Sequence, residues 1–205
     1  MTNEHEDDLA ASQTAGFKLG EKKTVEEYKQ LDANDESLNR WKASLGLGTG
    51  TSISDPNDPR KCIIKSLALE VEGREDITID LSAEGSVEKL KEKPFTIKEG
   101  CRFRIKATFV VQHEVLSGLK YIQVVKRKGV RLISREQSLL KYSPFSIEDP
   151  SDWLLFPPLL SAVNPEEAPS GFVARGHYSA LSRFVDDDDT THLKFEWAFD
   201  IAKDW

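Results

Sequence analysis

Along residues 101–111, CRFRIKATFVV, apolar side chains fall on every second position, so that Phe103, Ile105, Ala107, Phe109 and Val111 share one face. A period of two is what a half-buried β-strand requires. Shorter β-branched or alternating runs lie on either side. CIIKSLALEV, DITIDL and PFTI come before, and LKYIQVVKRKGVRLI, GFVARGHYSALSRFV and HLKFEWAFDIA come after. Turn residues separate them: Ser117-Gly118 predicts a hairpin turn ahead of LKYIQVV, and Gly129 predicts another inside the next run. Seven to nine short strands, with turn signals roughly every 8–12 residues, predict an all-β chain folded as a β-sandwich over residues 61–205.

Upstream the period changes from two to that of a helix. In TVEEYKQLDANDESLNRWKASLGL, Thr24 and Glu27 have the spacing of a capping box, and Val25, Tyr28 and Leu31 share one face. A second start falls at Asn34-Asp35, where a short side-chain oxygen caps the helix and Asp35 and Glu36 meet its positive end. Leu38, Trp41 and Leu45 follow at helical spacing, and Gly46 stops the turn. Both helices fall below the roughly 12–15 residues at which an isolated helix becomes even marginal in water. They therefore need a partner surface. Residues 23–47 read as a flexible N-terminal arm of two short helices, followed at 48–60 by a Gly-, Ser- and Pro-rich linker. Residues 1–22 are acidic and poor in large apolar groups, which predicts a disordered tail.

Composition narrows the function classes. Hydrophobic residues make up 39% of the 205, enough for one core, and the net charge of -7 argues against nucleic-acid binding, which needs a basic stripe. Acidity points instead to basic partners. Cys62 and Cys101 give no disulfide framework, and no N-terminal apolar segment flanked by positive charge reads as a secretion signal, so a reduced, cytosolic protein is expected. No apolar run approaches the length of a membrane span, so no stable membrane insertion is expected. Between prolines, Trp153, Leu154, Leu155, Phe156, Leu159 and Leu160 form an apolar loop expected to fold back on the sandwich.

The one tempting catalytic or metal constellation joins residues 186–189, DDDD, to His177 or His192. Consecutive carboxylates in an extended segment point to alternate faces and do not converge on one ion as the spaced oxygens of a calcium loop do. A solvated turn is the simpler expectation, with a calcium-binding β-sandwich as the competing class. No nucleophile elbow, phosphate loop, dinucleotide fingerprint or zinc-protease motif is present. No enzyme activity, metal or cofactor is expected.

The stretch DANDESLNRWKASLG resembles the regulatory arm of Rho GDP-dissociation inhibitors. SGLKYIQ, KRKGV, EEAPSGFVARGHYS and SRFVDDDDTTHLKFEW resemble the same family in the same order, with a fungal-type cast. The resemblance implies an immunoglobulin-like sandwich that binds GDP-bound, geranylgeranylated Rho-family GTPases as a monomer in a 1:1 complex, slows GDP release and withdraws them from membranes. A prenyl or acyl lipid carrier without nucleotide control is the alternative, and the arm discriminates the two.

Carried onto this chain, the resemblance implies GTPase switch contacts at Asp35, Ser37, Leu38, Trp41 and Asp188, where a carboxylate holds a hydroxyl or Arg by a charge-assisted bond. Trp41 stands where animal members commonly carry Tyr, and an indole N–H donates but does not accept. It implies a prenyl pocket from Leu67, Leu69, Phe95, Phe103, Val115, Leu119, Tyr121, Phe195 and Trp197, with Phe195 in place of a usual Trp. A twenty-carbon prenyl chain at roughly 0.8 kcal/mol per CH₂ represents about 16 kcal/mol of gross burial, which only an apolar cavity can match. Glu166 and Glu167 are implied to attract the polybasic tail upstream of the lipid. Thr24 lies where some relatives carry a regulatory Ser, whereas Pro94 and His177 occupy two other such positions.

Overall fold

The structure, a computed structural model, describes residues 9–12, 27, 30–44, 57–81, 85–113, 116, 118–139 and 159–205, without the side chains of 41–44 and 159–161. Ten strands run β1 Cys62–Val71, β2 Ile77–Asp80, β3 Phe95–Lys98, β4 Arg102–Val111, β5 Lys120–Arg127, β6 Val130–Ser138, β7 Leu159–Ala162, β8 Glu166–Glu167, β9 Gly176–Val185 and β10 Thr191–Ala202. Two helices, α1 Glu36–Ser44 and α2 Ser86–Glu92, complete the described elements. One sheet has the order β2-β1-β4-β7, with β8 also paired to β4; the other is β3-β10-β9-β5-β6. Every pairing is antiparallel except β3 with β10. The two inner faces meet in one core.

The alternation in β4 does what it predicts. Ala107 and Phe109 are buried, and Phe103, Ile105 and Val111 pack against the same core. Gly129 closes a two-residue β5–β6 hairpin with Lys128, both at positive φ, the geometry that matches strand twist. In β9 and β10, Tyr178, Phe184, Phe195, Trp197 and Phe199 point inward, Phe199 centred 5.2 Å from both Tyr178 and Trp197 and Phe184 6.3 Å from Phe195. Both cysteines are free.

Several expectations change. No hairpin joins β4 to β5, because the two strands belong to different sheets, and Ser117 lies outside the described residues. Gly118 lies in the connection between them at φ +63, with its missing Cβ aimed into the Asp187 carboxylate. Leu159 and Leu160 are not loop residues: β7 pairs with β4, Leu160 opposite Thr108. Trp153, Leu154, Leu155 and Phe156 lie outside the described residues. Helix α2 is an addition within the sandwich, tied to the core by Leu90, 4% exposed. From the acidic tail, residues 9–12 are seen against the outer face of the second sheet. Leu9, 1% exposed, covers Ile122, Val124, Leu181 and Val185. Ser12 donates from its N–H and its hydroxyl to Glu136, and Lys120 and Arg183 donate to the Ser12 and Leu9 carbonyls.

Of the arm, α1 and the turn before it are described. Leu31 N–H bonds the Glu27 carbonyl at 3.0 Å, one turn of a preceding helix. Asp35 then caps α1, its Oδ1 accepting the Leu38 N–H at 3.0 Å. Thr24, Val25, Tyr28, Leu45 and Gly46 lie outside the described residues. Ahead of β1, Gln112 donates to the carbonyls of Asp58 and Arg60, which fixes where the linker ends.

Candidate functional site

Between the sheets lies an apolar cavity of about 30 Å³, walled by Leu67, Leu69, Ile79 and Ile105 on one side and by Phe95, Phe195 and Trp197 on the other. Leu90 of α2 closes it. Each wall follows from the strand period: Leu67 and Leu69 are two apart on β1, as are Phe195 and Trp197 on β10. The Trp197 indole N–H is committed elsewhere, donating to the Ser182 hydroxyl at 3.0 Å, so only the ring faces the cavity. Phe95 meets that ring edge-on at 6.0 Å.

Five of the residues implied for a lipid site therefore come together: Leu67, Leu69, Phe95, Phe195 and Trp197. Three others do not line the cavity. Leu119 and Tyr121 are fully buried on β5 or just before it, and Phe103 packs the same core along β4. Tyr121 belongs to a buried polar knot with Ser182 and Gln123, and burial pushes its phenol well above the usual range. Val115 lies outside the described residues. Ile79, Leu90 and Ile105 were missed; Ile105 shares the inward face of Phe103, which was the available signal. Ligand pockets typically span roughly 300–1,000 Å³. Admitting a long lipid thus requires a wall to move. Helix α2 is the one wall that belongs to neither sheet, seated on the core through Leu90 and Val87 and paired to β10 through Lys91 and Glu196.

At one end of β9 and β10 sits the acidic turn. Its carboxylates have separate jobs. Asp186 is 3% exposed and organises the turn, with Oδ1 accepting the N–H groups of Asp188 at 3.0 Å and Thr190 at 2.8 Å. Its Oδ2 lies 2.9 Å from His192 Nε2. Asp187 faces Lys120 at 3.3 Å, and Asp189 holds Arg183 at 2.9 Å. Asp188 is half-buried. His177 pairs instead with Asp200, 2.8 Å away toward the other end of β9, so the two histidines share no centre. Among the described residues no three His, Cys, Asp or Glu groups are placed to hold a metal ion. Burial pushes the Cys62 thiol up to about 12, which leaves it protonated and inert at neutral pH.

Asp186→Ala is expected to cost about 1–3 kcal/mol, because two backbone donors and His192 lose their acceptor in a dry setting. Thermal melts check it: the midpoint falls by roughly 2–4 °C per kcal/mol in a chain of this size. Asp188→Ala, which leaves that network whole, moves the midpoint less.

The paired carboxylates at 166–167 do not act as a pair. Neighbouring residues of a strand point to opposite faces. Glu166 is bonded to Arg135 with its side chain only 16% exposed, and Glu167 is exposed. In the arm, Ser37 is exposed and Leu38 half-buried, and exposed Asp35 caps α1 through Oδ1. The side chain of Trp41 lies outside the described residues.

Comparisons with known proteins place this geometry. The family profile described as RHO protein GDP dissociation inhibitor matches residues 2–204. The Rho GDP-dissociation inhibitor of Schizosaccharomyces pombe is 47% identical over 187 residues, covering 91% of this chain and 86% of the relative. That of Saccharomyces cerevisiae is 41% identical over 189 residues, covering 91% and 90%. Human Rho GDP-dissociation inhibitor 1 is 38% identical over 192 residues, covering 94% and 88%.

Proposed function

The chain belongs to the RHO protein GDP dissociation inhibitor family, and from that membership we propose a carrier of prenylated, GDP-bound Rho-family GTPases in which arm and sandwich do different work. The arm lies on the switch surface of the GTPase and slows GDP release. The sandwich takes the geranylgeranyl group between its sheets and so draws the GTPase off the membrane into the cytosol as a 1:1 complex. The observation that carries this is the apolar cavity between β1, β2 and β4 and β3 and β10, closed by Leu90 of α2. No described helix is long and apolar enough to cross a membrane, which suits a carrier rather than an anchor.

In this account Asp35 acts twice. It fixes the first turn of α1 through the Leu38 N–H, and its other oxygen and Ser37 meet the GTPase beside Asp188. Asp35→Ala is therefore expected to weaken GTPase binding by about 1–3 kcal/mol through lost contacts. Loss of the cap adds about 1 kcal/mol against the helix itself. Titration calorimetry with prenylated GTPase checks the total, and Asp35→Asn, which keeps the cap, separates the two. Glu167 is exposed and available to the polybasic tail, whereas the Glu166 charge is compensated by Arg135. A pull-down from cytosol followed by mass spectrometry tests the whole proposal: Rho-family GTPases carrying a C-terminal prenyl group are expected as the dominant bound species. Recovery of lipidated proteins without a GTPase among them would favour a general lipid carrier.

A further inference from the structure

At the end of the sandwich opposite the acidic turn, residues 171–174 make a tight turn, Ala174 N–H bonding the Gly171 carbonyl at 3.0 Å with Gly171 at φ +98. Central positions of such turns are normally polar, glycine or proline. Here they are Phe172 and Val173, 86% and 81% exposed. The turn is braced from beneath. Arg127 donates to the carbonyls of Val173 and Arg175 and lies 5.2 Å over the Tyr178 ring. Arg175 forks onto Glu99 at 2.6 and 3.0 Å, and Glu99 also accepts the Gly171 N–H. Tyr178 donates its hydroxyl to the Ala174 carbonyl at 2.5 Å.

Beside this turn stands the β5–β6 hairpin, because Lys126 pairs with Ser179 and Arg127 with Val130. Its sequence, KRKGVRLIS, holds Lys126, Arg127, Lys128 and Arg131 and no carboxylate, in a chain of net charge -7. The large apolar side chains exposed among the described residues are Val130, Leu132, Ile133, Phe172, Val173 and Trp205, and all lie on this hairpin, this turn or the adjacent C-terminus. Residues 186–189 lie at the far end of the ten-residue β9, about 30 Å away at the rise of a strand.

We infer that this end docks on the surface of an anionic bilayer, Phe172 and Val173 entering the headgroup layer while the basic hairpin faces lipid phosphates. Apolar tips ringed by Lys and Arg are the pattern that interfacial binding uses. Rigid bracing means that little freedom is lost on contact. Charge also favours this orientation: the hairpin presents Lys126, Lys128 and Arg131, while the acidic turn at the far end of β9 is held away from the lipid.

The full chain without any GTPase is mixed with phosphatidylcholine vesicles, with or without phosphatidylserine, and sedimented. It is expected to pellet with the phosphatidylserine vesicles at low salt and not with the neutral ones. Lys126→Glu with Lys128→Glu, and separately Phe172→Ser with Val173→Ser, should each reduce partitioning by roughly tenfold or more. A Phe172→Trp variant, which leaves the brace intact, should show a blue shift and quenching by brominated lipid. Equal partitioning to neutral vesicles, insensitivity to both double substitutions, or an unshifted Phe172→Trp signal would overturn the inference. So would concentration-dependent dimerisation lost on Phe172→Ser without vesicle binding, which would make a second copy the occupant. No cargo enters the experiment, so its failure leaves the carrier proposal standing.

Discussion

Removing residues 1–47 is expected to abolish inhibition of GDP release while leaving a folded sandwich that still takes up prenyl lipid. Helix α1 has nine residues, too few to persist in water without a partner surface, and in the proposed mechanism that surface is the GTPase. The sandwich keeps every wall of the cavity, since those walls begin at Leu67. The GDP off-rate from a prenylated Rho protein is expected to return to that of the GTPase alone at saturating truncated chain. The truncation also removes Leu9 from its seat on Ile122, Val124, Leu181 and Val185. Full burial of a leucine contributes at most about 3 kcal/mol, so its loss should lower the melting midpoint by no more than roughly 12 °C. Leu9→Ser in the full chain measures that part separately and should leave GDP inhibition intact. Equal inhibition by full and truncated chains would sink the division of labour between arm and sandwich.

Leu69→Trp is expected to abolish extraction of prenylated GTPase from vesicles while arm-dependent binding of the unprenylated GTPase persists. Leu69 is 5% exposed and faces a cavity of about 30 Å³, so an added ring fills the space through which the sheets would part. Overpacking of this kind costs about 1–3 kcal/mol, which a chain of this size survives. Phe103→Leu is the matched control. It alters the same core outside the cavity lining and is expected to cost comparable stability with extraction retained. Loss of extraction in Phe103→Leu but not in Leu69→Trp would move the lipid to another part of the core.

The strands with strict alternation and the Gly129 hairpin were legible because both signals are local. Helix α2 was not. Its seven residues lack a side-chain cap, with Gly85 at the N-cap, and its place is set by long-range contacts, Leu90 and Val87 on the core and Lys91 with Glu196 of β10. Nor was β7, since an apolar run between prolines gives no hint of which strand it joins, and its partner β4 lies fifty residues upstream in register. The parallel match of β3 with β10 is equally non-local. Within the site, Leu67, Leu69, Phe95, Phe195 and Trp197 were reached through family resemblance, while Tyr121, implied with them, lies away from the cavity. An inward strand position looks the same in sequence whether it lines a cavity or, as here, carries a hydroxyl into a buried knot with Ser182. The loss of Glu166 to Arg135, thirty-one residues away, could not be seen from the run EEAPSG.

The most direct test is one sedimentation measurement on vesicles bearing a geranylgeranylated, GDP-loaded Rho-family GTPase. On addition of the full chain, the GTPase is expected to move into the supernatant in equimolar complex with it, with GDP still bound. A GTPase that stays pelleted at saturating, folded chain would contradict the account.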